Sequence, residues 1–446
     1  MTYGFIQPLV ETQAQPFGSP IRGRSSSVAG REGLSGGMTL TLADCRRWDA
    51  EDPLAFARAR FRLPGGMIYL DGNSLGALPA ATPDRLAAAV QQAWGEGLIG
   101  SWNAAGWMDL PARTGARIAP LVGADADEVI AADSTSVNLH KLAAAAVAMR
   151  PGRRVVLSEP GNFPTDLYVL QGLCATLGLE LRVTEPADLP AALGEDVAVL
   201  ALTHVHYRSG RVHDMAALTA AAQAAGALAL WDLSHSAGAL PVALNACNAD
   251  FAVGCGYKYL NGGPGAPGYM FAARRHQAAM VQPLTGWMSH EAPFAFDDGY
   301  RPATGMTRLL TGTPAVLGLT ALEEGLKTFD GVSMAEVRAK SIRLGELFIL
   351  RARAALGPAF DLASPEDPAG RGSQASLRHP DGYAIVQALI EAGVVGDFRA
   401  PDVMRFGFAP LYLSYADVFE AGERLARVMA DEAWRAPRFA ERRAVT

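Results

Sequence analysis

Lys258 lies in the run 254–268 (GCGYKYLNGGPGAPG), between two tyrosines and ahead of a Gly/Pro-rich loop. Lysine is seldom buried. Where it is, the charged form is disfavoured and the amine becomes a nucleophile or base. The apolar and aromatic flanks, with no other charge, predict that fate for Lys258, whereas Lys141 and Lys327 read as solvated lysines. Asp232 closes an Ala/Leu run in 231–236 (WDLSHS), with His235 three residues on. A carboxylate at that depth needs a partner, either a turn that it caps or a protonated ring nitrogen. Thr135 and Ser136, in 131–140 (AADSTSVNLH), precede an Ala-rich helix. They are ordinary helix caps or, with the free N–H groups there, a phosphate site. Phe163, before Pro164, Thr165 and Asp166 in 161–168 (GNFPTDLY), staples the helix or offers a ring face to a flat ligand. Arg405, in 402–412 (DVMRFGFAPLY), pairs with an internal carboxylate or receives one from a ligand. His204-Val205-His206 puts two rings on one face of a strand. No third metal ligand is evident, so no metal is expected.

These residues sit at the edges of apolar runs. Residues 154–159, 180–184, 197–202, 227–231, 251–253 and 268–271 read as strands. Residues 139–149, 165–177, 215–225, 314–327 and 335–356 read as helices. Strand–helix alternation predicts an α/β fold with a mostly parallel, buried central sheet sandwiched by helices. Ligands of such sheets bind beyond the carboxyl ends of the strands. Residues 71–76 (DGNSLG) read as a turn before a helix.

Composition narrows the classes. Of 446 residues, 50% are hydrophobic and 19% charged, so a large core is available. Lys and Arg total 39 against 45 Asp and Glu, a net charge of −6. That balance argues against nucleic acid as a partner. The longest uncharged stretches are 17 residues, too short and too polar for a membrane span. Cys45, Cys174, Cys247 and Cys255 show no CxxC pairing, which fits a reducing cytoplasm. Residues 1–37 are Gly/Ser/Arg-rich in part and read as a disordered extension, with Glu11 and Glu32 speaking against a transit peptide.

The ordered set meets the demands of pyridoxal 5'-phosphate (PLP): hydroxyls at a helix start for the phosphate, an aromatic face, a carboxylate for the pyridine nitrogen, an amine for the aldehyde, and a distal arginine for an amino-acid carboxylate. In these residues the chain resembles kynureninase, of the fold-type-I PLP-dependent superfamily. The resemblance runs from about Met67 to Tyr415. It rests on YLDGNSLG (69–76), FPTD (163–166), DLSHSAG (232–238), YKYLNGGPG (257–265), the block with Trp287, His290 and Glu291, and RFGFAPLY (405–412).

The resemblance implies a PLP-dependent transferase-like fold. Its parts would be an arm at 38–66 joining the small domain, a large PLP-binding domain at 67–313, and a linking helix with a small domain at 314–446. It implies hydrolysis of L-kynurenine or 3-hydroxy-L-kynurenine to the anthranilate and L-alanine, in tryptophan catabolism or pyridine nucleotide (NAD) biosynthesis. Lys258 would bond the cofactor and move protons, and Tyr257 would relay them. Asp232 would hold the ring nitrogen, with Phe163 stacked on the ring. Thr135, Ser136 and Tyr257 would bind the phosphate side. Asp166, Thr203 and His235 would line the cofactor, within a block that includes Pro164 and Thr165. Arg405 would clamp the substrate carboxylate, and Trp287, His290 and Thr313 would shape the aryl pocket. Trp287 and Thr313 would come from a second copy, so the site would belong to a homodimer. An aminotransferase of the same superfamily is the nearest rival. A cysteine desulfurase needs a late-loop cysteine, and none follows Cys255. A non-catalytic PLP-binding regulator would need a DNA-binding module, for which residues 1–37 are too short.

Overall fold

The computed structural model describes residues 40–442. The extension expected at 1–37 lies outside them. From Thr41 onward the chain forms one compact unit that holds both of its main sheets.

The large sheet has seven strands: β1 (Val129–Ala131), β2 (Val155–Ser158), β3 (Glu180–Val183), β4 (Val197–Thr203), β5 (Leu228–Asp232), β6 (Phe251–Gly254) and β7 (Tyr269–Ala272). Their order is β1-β7-β6-β5-β4-β2-β3. The pairs β3–β2, β2–β4, β4–β5 and β5–β6 are parallel, and β7 runs antiparallel to β6 and β1. Every residue of β2, β4, β5, β6 and β7 is buried. Continuous Val, Leu and Ala runs suit strands covered on both faces.

Helices Thr135–Ala148, Pro164–Leu177 and Met215–Ala224 connect these strands. The first buries an alanine row, Ala143 to Ala146, which lets its backbone lie close to the sheet. The second starts with Pro164, whose fixed φ suits a first helical turn, and stops at left-handed Gly178. The structure reverses the solvated reading of Lys141. Its side chain is 0% exposed, and Nζ donates to Asp133 at 2.6 Å and to the Leu309 carbonyl at 2.7 Å. An acidic side chain eight residues upstream satisfies what the local pattern left bare. Lys327 is solvated, beside Glu324.

The small sheet is antiparallel, in the order β8-β9-β11-β10: β8 (Asp361–Leu362), β9 (Gln374–Arg378), β10 (Asp397–Arg399) and β11 (Val403–Gly407). Helices Met334–Leu356 and Gly382–Glu391 pack on it, and Tyr415–Ala430 packs against those two helices. Residues 68–76 cross from this sheet to the large one. Ile68–Tyr69 pairs in parallel with Val394–Val395, and Asp71 bridges to Gly407. At the far end, Gly76 N donates to the Tyr257 carbonyl at 2.8 Å.

A Cβ on Gly76 would meet the Lys258 carbonyl oxygen at 2.3 Å and Asn261 Oδ1 at 2.6 Å. Only a residue without a side chain allows that approach. Gly76→Ala is therefore expected to lower stability by about 1–3 kcal/mol through overpacking. Equilibrium unfolding in urea measures it, and an unchanged midpoint would refute the wedge.

Candidate active site

The parallel strands end on one cavity of about 240 Å³. It is lined by Thr135, Ser136, Phe163, Thr165, Asp166, Thr203, Asp232, His235, Tyr257 and Lys258, all singled out in the sequence. The cause is topological: β4 ends at Thr203, β5 ends at Asp232, and Lys258 follows β6. At this size the cavity falls just below the roughly 300–1,000 Å³ of ordinary ligand sites, which suits one small ring with a phosphate.

Lys258 is 8% exposed, and its Nζ donates to His235 Nε2 at 3.0 Å. The amine also lies 5.7 Å from the centre of the Phe163 ring and 5.8 Å from that of Tyr257. Burial, then the charges of Lys258 and Arg405, push His235 well below the usual histidine range. The imidazole is thus neutral and accepts from the amine. Burial likewise pushes the Tyr257 phenol upward, so it stays a proton donor.

Asp232 Oδ1 accepts from Ser234 N at 2.8 Å and from Ser234 Oγ at 2.6 Å. This turn fixes one carboxylate oxygen. Asp166 is buried against Asp232 and hydrogen-bonded to it. Burial first, and the Asp232 charge second, raise Asp166 well above the ordinary carboxylate range. Two carboxyls packed this closely do not ionise independently, so Asp166 gives up its proton less readily than a lone carboxyl.

The helix start at Thr135 is capped by Ser134, whose Oγ accepts from Val137 N at 3.3 Å. That leaves the Thr135 and Ser136 hydroxyls free to face the cavity. Gly268 brings β7 against this turn, where a Cβ would lie 3.0 Å from Thr135 N. The Thr203 hydroxyl, also on the cavity, is buried with no hydrogen-bond partner among the described residues. A bound group that fills this space would satisfy it.

Other expectations fare differently. Pro164 starts its helix and does not line the cavity. Arg405 does not reach into the cavity as a free clamp. Its Nε donates to Asp397 Oδ1 at 2.7 Å, its Nη2 to Asp397 Oδ2, and its Nη1 to the Tyr207 carbonyl at 2.6 Å. The physical reason is register, because Asp397 on β10 faces Arg405 on β11 directly across the sheet. Trp287, His290 and Thr313 lie away from this chain's own Lys258 cavity. Trp287 packs on Trp102 and Phe294 at ring distances of 5.9 and 5.8 Å. His290 Nδ1 accepts from Ala292 N at 2.9 Å, and its Nε2 lies 3.2 Å from the Gly299 carbonyl. Thr313 is exposed on the surface. His204 pairs with Ser236, and His206 with Ser209.

Sequence reasoning missed Val205, Tyr207 and Ser234, which also line the cavity. Tyr207 packs edge-on against Phe163, with centroids 5.3 Å apart. The signal for Ser234 was present: a serine two residues after a strand-closing aspartate is a turn partner.

Comparisons with known proteins decide the family. Residues 337–425 match the kynureninase C-terminal domain. A kynureninase of Burkholderia mallei is 51% identical over 407 residues, covering 89% of this chain and 98% of the relative. The chain belongs to the kynureninase family. A kynureninase of Pseudomonas fluorescens is 46% identical over 414 residues, covering 91% of this chain and all of the relative. Among solved structures, a cysteine desulfurase from Thermococcus onnurineus has a TM-score of 0.71 at 18% identity, covering 84% of this chain and 98% of its own. A variant of C-DES with glycine covalently linked to its PLP cofactor has a TM-score of 0.73 at 19% identity, covering 83% and 98%. These two share the fold. The cofactor of the kynureninase family is PLP, and the cavity fits it. Lys258 would meet the aldehyde, the Asp232–Asp166 pair the ring nitrogen, and Phe163 the ring face. The helix start and the unpartnered Thr203 hydroxyl stand for the polar rim.

Folded Asp166 holds its proton more tightly than the unfolded chain does. Above the ordinary value of 3.8 the folded state therefore binds more protons, and stability falls as pH rises through that window. In cofactor-free protein, Asp166→Asn is expected to remove this component, up to about 1.4 kcal/mol per pH unit. Urea unfolding at several pH values measures it, and superimposable pH profiles would contradict the raised proton affinity of Asp166.

Proposed function

We propose that this enzyme hydrolyses L-kynurenine, 3-hydroxy-L-kynurenine or both, giving the corresponding anthranilate and L-alanine. The observation that carries the reading is a buried amine, Lys258, beside a carboxyl pair in a cavity that fits PLP, in a chain 51% identical to a kynureninase. PLP, when bound, supplies an aldehyde for amines and a ring that draws electrons from the substrate α-carbon.

The chain's own residues do the rest. Lys258 would hold the cofactor through its aldehyde at rest; with substrate in place its amine would take the α-proton and later return it to the same carbon, so that L-alanine leaves intact. Neutral His235 holds the freed amine in place without competing for charge. Asp232, pinned by Ser234, keeps a proton on the ring nitrogen, and Phe163 covers one ring face. The Cβ–Cγ bond then breaks as water adds to the side-chain ketone: hydroxyl goes to the acyl carbon and a proton to Cβ. Tyr257, kept protonated by burial, is placed beside Lys258 to deliver that proton. General acid–base help of this kind is worth typically about 10²–10⁴-fold.

The enzyme acts as a homodimer in which Trp287 and Thr313 of each copy complete the site of the other. Support comes from their distance from this chain's own cavity and from exposed apolar residues around Trp287. Phe294 is 60% exposed and Phe296 82% exposed, as surfaces are before a partner covers them. All four cysteines are free, in keeping with a reducing cytoplasm. Among the described residues, no helix is long and apolar enough to cross a membrane.

Purified enzyme with PLP and L-kynurenine is expected to form anthranilate and alanine in equal amounts, and Lys258→Ala to form none, by mass spectrometry. Transamination with a 2-oxo acid in place of cleavage would move the reading to an aminotransferase. Mixing inactive Lys258→Ala with inactive Trp287→Ala tests the shared site. Random reassembly leaves one intact site in half of the dimers, so about a quarter of wild-type activity returns. No recovery despite exchanged subunits would place Trp287 in its own chain's site.

A further inference from the structure

Arg405 has little left to offer a ligand. Two of its nitrogens grip Asp397, Nη2 also donates to Ser74 Oγ at 3.0 Å, and Nη1 donates to the Tyr207 carbonyl. Four of its five N–H groups are thereby committed. Its side chain is 2% exposed. Two residues after Asp397, Arg399 sits on the same carboxylate oxygen that Arg405 Nη2 grips. Its Nη2 lies 2.7 Å from Asp397 Oδ2 and 3.5 Å from Ser74 Oγ, and Nη1 donates to its neighbour's carbonyl at 3.1 Å. This side chain is 35% exposed. Both guanidiniums act electrostatically on His235 in the cofactor cavity, and Tyr207, which lines that cavity, acts on Arg399.

We propose that Arg399 is a second substrate-binding arginine, and that Asp397 holds Arg399 and Arg405 side by side to receive the α-carboxylate of the amino-acid substrate. The proposal rests on the reading of the cavity as an amino-acid site and adds a residue that nothing in the motif of Arg405 identifies. An arriving carboxylate meets the solvent-reached guanidinium first, and Arg405 backs it from beneath.

Charge in the cluster agrees. Burial opposes ionised Asp397, yet the bond and charge of Arg405, with Arg399, hold it below the usual carboxylate range. Burial and the Asp397 charge raise Asp71, the other carboxyl facing the cluster, to about 7. Near neutrality, two guanidiniums thus face one full carboxylate and one partly protonated carboxyl. The positive excess is what a ligand carboxylate neutralises.

The test is a titration of PLP-loaded enzyme, followed by cofactor absorbance, with L-alanine and with ethylamine. The two ligands share an amine, and only the first has a carboxylate. Arg399→Ala is expected to weaken L-alanine about tenfold or more and leave ethylamine within about twofold, as loss of a charge-assisted contact predicts. Arg399→Lys restores part of the loss. With L-kynurenine the same variant raises KM more than it lowers kcat. Equal weakening of both ligands, or no weakening of either, overturns the proposal. If wild-type enzyme fails to cleave L-kynurenine, the proposed reaction falls, while the alanine–ethylamine comparison still judges Arg399.

Discussion

A primary amine almost closed off from water is the constraint on which the rest of the structure turns. Lys258 is mostly enclosed, and its Nζ is placed by neighbours: His235 at 3.0 Å and the Phe163 and Tyr257 rings. Each neighbour needs its own support. His235 accepts because burial keeps it uncharged. Phe163 stands where it does because Pro164 starts the next helix and Tyr207 packs on its edge. The lysine's backbone is fixed from behind by Gly76, which fits only because it lacks a Cβ. A reactive amine in this fold is thus a property of several segments far apart in sequence.

Two charge clusters border this amine, and they are opposite in sign. Asp232 and Asp166 form an acidic pair where a ring cation would lie, and burial with the Asp232 charge makes Asp166 reluctant to ionise. On the other side Arg399, Arg405, Asp397 and Asp71 leave a positive excess. Each cluster is internally paired, so neither buries a bare charge, which would cost several kcal/mol. The acid pair is negative on balance and the arginine cluster positive, and a ligand can carry the complement of each. A ring cation on one side and an α-carboxylate on the other complete both. The site is therefore matched to an amino acid bound through a cationic ring.

Much of this was legible in the sequence. The strands of the large sheet were visible because apolar runs of Val, Leu and Ala have no other use. The cavity residues followed from asking what comes after each run, since the carboxyl ends of parallel strands converge. Arg405 was read with two outcomes open, and the structure realises the internal pair. The pair depends on the antiparallel register of β10 and β11, which places Asp397 opposite Arg405. Spacing of eight residues does not by itself announce a hairpin partner. Lys141 misled for a similar reason: its acceptor Asp133 and the distant Leu309 carbonyl are brought together only by tertiary folding. Tyr207 and Val205 were invisible as site residues because nothing in their types distinguishes lining a cavity from filling a core.

Residues 68–76 tie the arginine cluster to the backbone of the cavity lysine. Ser74 Oγ donates to Asp397 at 2.8 Å and touches Arg405, whereas Gly76, two residues on, lies against Lys258. Two residues of chain span at most about 7 Å. The segment thus helps set the separation between the Lys258 backbone and the guanidiniums of the cluster. The α-carbon and carboxylate of an amino acid belong to a single small molecule whose internal distances are fixed by covalent bonds. The crossing is held at Gly407, the last residue of β11, and at the Tyr257 carbonyl, just past the end of β6. The conformational tolerance of an active site of this kind is then limited by the stiffness of this short crossing. That explains why a turn motif with no chemistry of its own stands among the residues by which the chain is recognised.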